Sequence, residues 1–476
     1  MVLIISLPQP KAGISVSKIQ GQAPREFGRV LIQQAGGPAG TIETYIEVPF
    51  DLGDKRLYPD GLIRVTRGQR SWTALVEVKT GKNELAAGQL ENYLDIAREQ
   101  GFDTVITISN QIPPIAGQHP TRVDKRKLKK VGLQHWSWTH VLSQAVIQKE
   151  HRGVSDPDQA WILGELIRYL EHSRSGALEF DDMGEHWVKV RDAVASSTLR
   201  DTDKGAAAIA GRFEALLRFC CLELGKQLGD QVTPVLTRKE QLDPAVRTAA
   251  LVESLTSSGL LRGAIRIPNT VGSLVVTADL RAGQITCHVD LDAPKSGRPL
   301  TRVNWLVRQL RHAPDGLRLE AFVAHARGQG TAELLGAVRS DPALLVADPK
   351  KDLRMFRIAM VAPMGPKRGR GRGAFIDSVN DSVNVFYREV LQHLKAWASA
   401  PPKMRETPEP PAEPVALVST SVSSQDGPEL VDEPDSPPAA PPSGTTVSGD
   451  QADRGPAAAE PTLPHDHQSP DAEATG

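Results

Sequence analysis

The sequence predicts an α/β core, then a second α+β region, then a disordered acidic tail. Three observations carry this. Residues 60–79 read as an apolar hairpin that leads into an amphipathic helix and a buried strand, the pattern of a parallel crossover. Residues 155–400 carry helix and strand signals in an α+β order, which implies a core of its own. Residues 401–476 hold 16 of the chain's 36 prolines and almost no aromatic residue, too little apolar area to fold.

Charge divides at the same place. The tail has 14 Asp and Glu against Lys403, Arg405 and Arg454, a net charge of −11. The whole 476-residue chain is at −1, so residues 1–400 carry +10. A basic body attracts polyanions, and the tail is expected to act as a solubilising linker or as a screen against indiscriminate DNA binding. Of three cysteines, Cys220 and Cys221 are adjacent on a predicted helix, which argues against a disulfide framework. The apolar opening at residues 2–7 lacks a basic leader and is too short to span a bilayer, and no longer apolar run follows. No membrane partner and a cytoplasmic location are therefore expected.

Residues 1–20 read as an N-terminal arm, and the first domain is expected over 21–150. It opens with a helix at 24–34 that stops at Gly36-Gly37. An alternating strand follows, with Ile42, Thr44, Ile46 and Val48 opposed to Glu43, Tyr45 and Glu47. Pro59-Asp60-Gly61 then enters a strand through Leu62, Ile63 and Val65, the chain turns at Gly68-Gln69, and a second strand returns through Trp72 to Lys79. Pairing outward from that turn sets Asp60 opposite Glu77, and period-two alternation puts Glu77 and Lys79 on one face with Val76 and Val78 on the other.

Two acids and an amine on so apolar a hairpin need a reason. Glu-x-Lys alone is expected about once or twice in a chain of this size from average composition, and Pro-Asp-Gly alone usually marks a turn. Side by side, the acids repel unless a cation sits between them. Hard oxygen ligands with open positions suit Mg²⁺, or Mn²⁺ in its place.

Next, a helix is predicted over 84–99, with Asn83 as N-cap and Gly101 as its stop, and a buried stripe of Ala86, Gln89, Leu90, Tyr93, Leu94 and Ala97. Gln89 and Tyr93, four apart, share a face. A buried strand at 103–109 completes the crossover.

Asp60, Glu77-Val78-Lys79 and Gln89-x-x-x-Tyr93, in this order along hairpin and helix, resemble the PD-(D/E)xK nuclease superfamily in its variant with a Gln-x-x-x-Tyr helix. The resemblance covers about residues 20–150. It implies a restriction-endonuclease-like core, a mixed central sheet flanked by helices. Asp60 and Glu77 would be metal ligands, with the Val78 carbonyl as a third. Lys79 would be the catalytic lysine, and Gln89 and Tyr93 would support the site or touch the nucleic acid. A further acid on the first helix is common in the superfamily. Glu26 and Glu47 both stand as candidates.

The function so implied is a Mg²⁺-dependent nuclease that hydrolyses phosphodiester bonds in DNA through a Mg-bound water, with RNA left open as substrate. The alternative is a nucleic-acid-binding or regulatory protein that keeps the fold without turnover. Strandedness, endo or exo cleavage, the number of ions, pathway and oligomeric state are not written in the sequence.

The basic run from Arg122 to Lys130 is expected to attract phosphates, while a strand at 133–138 and a helix at 140–149 close the domain. His135 and His140 lack a partner at metal spacing and read as structural or exposed side chains, not as ligands. In the region 155–400, Asp156-Pro157 caps a helix whose apolar side is read as Trp161, Ile162, Leu166, Tyr169 and Leu170. A helix at 206–228 follows, then strands near 263–268, 273–280 and 284–290, and a helix through Arg302, Trp305, Arg308 and Arg311. Strands near 317–324 and 356–362 and a helix through Phe386 and Leu394 end the region. The glycine-rich segment with Lys367, Arg368, Arg370 and Arg372 is expected to follow a phosphate backbone, with the arginines of 302, 308 and 311 as an extension of the patch or simply an exposed face.

Overall fold

A computed structural model describes residues 18–19, 25–113, 119–177 and 180–398. The tail at 401–476 and all but the end of the N-terminal arm lie outside these residues. The described chain is a mixed α/β structure built on two large sheets.

In chain order, the first half consists of β1 (Lys18–Ile19), α1 (Arg25–Gln34), β2 (Thr41–Ile46), β3 (Phe50–Leu52), β4 (Lys55–Leu57), β5 (Gly61–Arg67) and β6 (Arg70–Val78). It continues with α2 (Ala87–Glu99), β7 (Thr104–Ser109), β8 (Gly132–Ser137), α3 (Trp138–Val146) and α4 (Pro157–Glu171). Six strands form one sheet in the order β1-β2-β5-β6-β7-β8. The pairs up to β5-β6 are antiparallel, and β6-β7 and β7-β8 are parallel. The sheet is therefore mixed, as a hairpin followed by a crossover requires.

The hairpin has the predicted register: Arg67 pairs with Arg70 and Gly61 with Val76. Alternation along β6 decides the rest. Ala74, Val76 and Val78 pack with Phe27 and Leu31 of α1, Ile106, Ile108 and Trp136 on one face of the sheet. Leu75 packs with Leu62, Tyr93, Leu94 and Val105 on the other, under α2. Glu77 shares the phase of Leu75, so it faces α2 from within an apolar layer.

Helix α2 begins later than expected. Asn83 does not cap it; the N-cap is Ala86, with no side-chain bond. Tertiary contacts override the local signal: Gly81 N–H donates to Gly176 O at 2.8 Å, and the Leu85 side chain is buried, which holds the approach out of helical geometry. The stripe is likewise narrower at its start, with Ala86 exposed and Gln89 half-buried. Helix α3 starts at Trp138 with Ser137 as its cap and continues as a π-helical turn over Ile147–Arg152.

Asp156 caps α4 as expected, accepting from the N–H groups of Asp158 and Gln159. The expected apolar side is partly wrong. Leu163, Leu166 and Leu170 form the buried stripe, whereas Trp161 is 66% exposed and Tyr169 is also exposed. At 100° per residue, Trp161 lies about 200° around the helix from Leu163. These three leucines join the core of the first sheet. The change of core therefore falls after α4 and not at residues 150–155.

The second half comprises α5 (Trp187–Ala195), α6 (Lys204–Leu228), β9 (Thr233–Pro234), α7 (Arg238–Leu242), α8 (Pro244–Ser258), β10 (Leu260–Arg266), β11 (Leu274–Asp279) and β12 (Gln284–Asp292). It ends with α9 (Pro299–Gln309), β13 (Arg318–Val323), β14 (Thr331–Leu334), α10 (Leu335–Ser340), β15 (Leu353–Pro363) and α11 (Phe375–Glu389). Seven strands make an antiparallel sheet in the order β14-β13-β15-β12-β11-β10-β9. Its core takes in Phe213, Phe219, Phe356, Phe375 and Phe386 from α6, β15 and α11. Leu394 belongs to that core from beyond the end of α11. Helix α6 is buried along most of its 25 residues, including Cys220 and Cys221. It touches the first half through α3, where Ser143 Oγ donates to Leu222 O at 3.1 Å. Cys220, Cys221 and Cys287 are free thiols. Among the described residues no helix is long and apolar enough to cross a membrane.

Two basic features differ from expectation. Arg302 is buried: its guanidinium donates to Leu353 O at 2.7 Å and Gly297 O at 3.0 Å and pairs with Asp352 at 3.1 Å. It anchors loops instead of extending a surface patch. The segment around Arg370 is a braced turn and not a free loop. Arg368 pairs with Asp182 at 3.2 Å and Arg370 with Asp377 at 2.6 Å, and Lys367 Nζ donates to Arg372 O at 3.1 Å. Neighbouring carboxylates thus neutralise two of its four cations.

Candidate active site

Asp60 sits at the entrance of β5, immediately before the paired residues. Its Oδ2 accepts a hydrogen bond of 2.7 Å from the N–H of Val78 on β6. Val78 serves this site through its backbone, because its side chain is buried on the opposite face. Glu77 is 2% exposed. Its Oε1 receives two donors, Lys79 Nζ at 2.5 Å and Gln89 Nε2 at 2.8 Å. Gln89 also donates to Tyr93 Oη at 3.2 Å, and Tyr93 Oη donates to Tyr58 O at 3.5 Å. All six predicted residues, Asp60, Glu77, Val78, Lys79, Gln89 and Tyr93, thus meet in one hydrogen-bonded cluster between β5, β6 and the first turns of α2.

The backbone of Lys79 is held on both sides. Its N–H donates to Ile108 O at 2.8 Å, which continues the parallel ladder, and its carbonyl accepts from Trp138 Nε1 at 2.9 Å. Lys79 therefore leaves the end of β6 from a rigid base, with its ammonium partly exposed beside a buried carboxylate.

Both acids hold their protons more tightly than a free carboxyl does. Burial is the main cause in each; for Glu77 the negative charge of Asp60 adds to it, while Lys79 opposes it. Burial, and then the charge of Glu77, pushes the Tyr93 phenol well above its ordinary range, so it stays a neutral donor.

The two additional acids separate. Glu26 accepts from Ser155 Oγ at 2.9 Å, a contact with the start of α4. Glu47 lies just past the end of β2, where its N–H donates to Asp60 O at 3.4 Å, and its charge raises the proton affinity of Asp60. Glu47 has φ of +49°. That left-handed conformation is uncommon for a residue with a side chain and turns the chain out of the strand beside the site.

One part of the surroundings was not legible beforehand. Glu77 pairs with Thr107 on β7, and Thr107 with His135 on β8, so the three project from one row of the sheet. Thr107 Oγ1 lies 2.8 Å from His135 Nδ1 and 2.8 Å from Nε2 of His119, which comes from the β7–β8 connection. Burial lowers the proton affinity of both rings, that of His135 to about 4. Of the two expected settings for His135, structural or exposed, the structure has the ring buried. The only signal for this row was strand register, and the chain between β7 and β8 is too long to set that register locally.

The basic run beyond β7 lies along α2. Asp124 N–H donates to Glu91 Oε1 at 3.1 Å, and Lys127 Nζ bonds Asp95 Oδ2 at 2.5 Å. Arg122, Lys125, Arg126, Lys129 and Lys130 are exposed.

Among the described residues, no group of three or more His, Cys, Asp or Glu side chains is arranged to hold a metal ion. The donor set at Asp60 and Glu77 is a pair of hard oxygen ligands. That suits an ion such as Mg²⁺, which is usually bound through one or two carboxylates and keeps several waters. The mutual repulsion of the pair gives a cation a place to act. The residues therefore fit the group that the motif implies. Comparison with protein-family models, curated proteins and solved structures finds no match to this chain.

Proposed function

We propose that this protein is a metal-dependent nuclease with a restriction-endonuclease-like core of the PD-(D/E)xK type, acting on DNA. The observation that carries the reading is the convergence of Asp60, Glu77, Lys79, Gln89 and Tyr93 through the 2.5–3.2 Å bonds within the cluster and the 2.7 Å bond from Val78 N–H to Asp60. Asp60 and Glu77, with the Val78 carbonyl, would hold Mg²⁺ or Mn²⁺. The chemistry supplied by such an ion is polarisation of a phosphoryl oxygen and acidification of water.

The protein's own groups have separable tasks. Gln89 and Lys79 both bind Glu77 Oε1 and so set the rotation of that carboxylate. Val78 N–H does the same for Asp60. Tyr93 holds Gln89 in place from a buried position on α2. Lys79, at a strand end with its ammonium partly in solvent, would orient an attacking water and offset charge on the phosphate. The exposed cations of residues 122–130 would hold the backbone of the substrate without reading bases.

The test uses purified protein, plasmid DNA and Mg²⁺ or Mn²⁺. Cutting is expected that EDTA stops and that Asp60→Ala and Lys79→Ala each abolish. Binding without cutting by the unaltered protein would favour a nucleic-acid-binding or regulatory protein with the same fold. The ion pair of Lys79 with Glu77 is the observation on that side, since in this arrangement the lysine already has a partner. Parallel assays with single-stranded DNA and RNA identify the substrate class.

A further inference from the structure

Between β8, α3 and α6 lies a cavity of about 160 Å³ whose lining includes Gln34, Gln134, His135, Ser137, His140 and Arg218. Arg218, on α6, is 9% exposed. Among the described residues, its guanidinium has no hydrogen-bond or ion-pair partner. Burial works against its charge, and among the described residues no carboxylate pairs with it. A buried cation without a counter-charge is costly, and proteins pair almost all of them.

The facing imidazole is short of a partner as well. His140 Nε2–H donates to Gln34 Oε1 at 2.8 Å, which leaves Nδ1 as a buried acceptor without a donor. Burial and the charge of Arg218 keep this ring neutral, with its pKa lowered to about 3. The cavity therefore presents a planar cation and amide groups beside a neutral imidazole, and its described lining contains no acid.

We propose that this cavity binds a small oxyanion of the phosphate class between Arg218 and His140. A guanidinium fork matches two phosphate oxygens. Phosphate near neutral pH also keeps an O–H that can donate to an amide oxygen of the lining, such as that of Gln134, whereas sulfate does not. The volume is enough for the five heavy atoms of a phosphate. Because Arg218 comes from α6 and His140 from α3, the anion would tie the layer of the second sheet to that of the first. This site does not depend on the nuclease reading.

The experiment is calorimetric titration of the full chain with inorganic phosphate at constant ionic strength, alongside thermal melting. Saturable one-to-one binding is expected, with a rise in Tm as phosphate is added. Sulfate should bind more weakly, and Arg218→Gln should bind phosphate at least tenfold more weakly with a flat Tm. Absence of saturable heat, or equal affinity in the variant, overturns the proposal. Should Arg218→Gln fail to fold, Arg218→Lys keeps the charge without the planar fork and is expected to bind measurably but less tightly; unchanged affinity there overturns it. Competition by a 5′-phosphorylated dinucleotide, but not by its 5′-hydroxyl form, identifies a strand terminus as the source of the phosphate. No competition by either identifies the free ion.

Discussion

Asp60 Oδ2 and the backbone N–H of Val78, 18 positions apart in sequence, are joined by a 2.7 Å hydrogen bond. The bond brings an acid at the mouth of one strand onto the end of the next, beside Glu77. Two carboxyls so close and so buried resist ionising together, and the response of the protein to pH and to cations follows from that resistance.

Stability should depend on pH in a direction opposite to that of an ordinary ion-paired acid. Asp60 and Glu77 bind protons more tightly when the chain is folded than when it is unfolded. Between the ordinary carboxylate range and the raised values the folded state therefore holds more protons, and stability falls as pH rises through that window. In EDTA, Glu77→Gln should melt at a higher temperature than the wild type at pH 8. The difference should shrink on acidification and vanish below about pH 4. A wild type more stable than the variant at pH 8 would contradict this account.

A divalent cation should relieve the same repulsion. Under the nuclease reading, Mg²⁺ raises the Tm of the unaltered protein at pH 8 in a saturable way, because anything that binds only the folded state stabilises it. The doubly substituted Asp60→Asn, Glu77→Gln chain should show no such rise. An equal response in both chains would mean that the ion acts elsewhere.

Tyr93→Phe removes a hydroxyl that bonds Gln89 and Tyr58 while leaving the ring in the core with Leu75 and Leu94. Denaturant unfolding should show a loss of about 0.5–1.5 kcal/mol, the usual worth of such a bond. Under the nuclease reading, cleavage should also slow because Gln89 no longer holds the Glu77 carboxylate in one rotation. Full activity at unchanged stability would remove Tyr93 from the site.

Arg302 and the exposed cations beyond β7 should behave oppositely. Arg302→Ala removes the donor to the buried carbonyl of Leu353 and should cost about 1–3 kcal/mol of stability and, under the nuclease reading, leave DNA affinity unchanged. Replacing Lys125, Arg126, Lys129 and Lys130 by Ala should leave stability nearly intact. Under the same reading it should also flatten the dependence of log DNA affinity on log salt by about 0.9 for each phosphate that is no longer neutralised. A change in the salt slope with Arg302→Ala would reverse the assignment of these cations.

The local chain alone determined the hairpin, its register and the α2–β7 crossover, because a tight turn at Gly68 and period-two alternation leave one pairing that buries Leu75 and Val76 together. The meeting of Asp60 with Glu77 followed from that register, and the helical spacing of Gln89 and Tyr93 put both on one side of α2. What the sequence left undecided depended on partners far along the chain. The choice between Glu26 and Glu47 turned on where α1 and β2 end relative to Asp60. The start of α2 was set by Gly176, the fate of Arg302 by Leu353, and the Thr107–His135 row by a parallel pairing whose connection is long. Period and turn chemistry act over a few residues and so are written in the sequence. Burial, counter-charge and parallel strand order depend on contacts across the folded chain, and only the tertiary structure decides them.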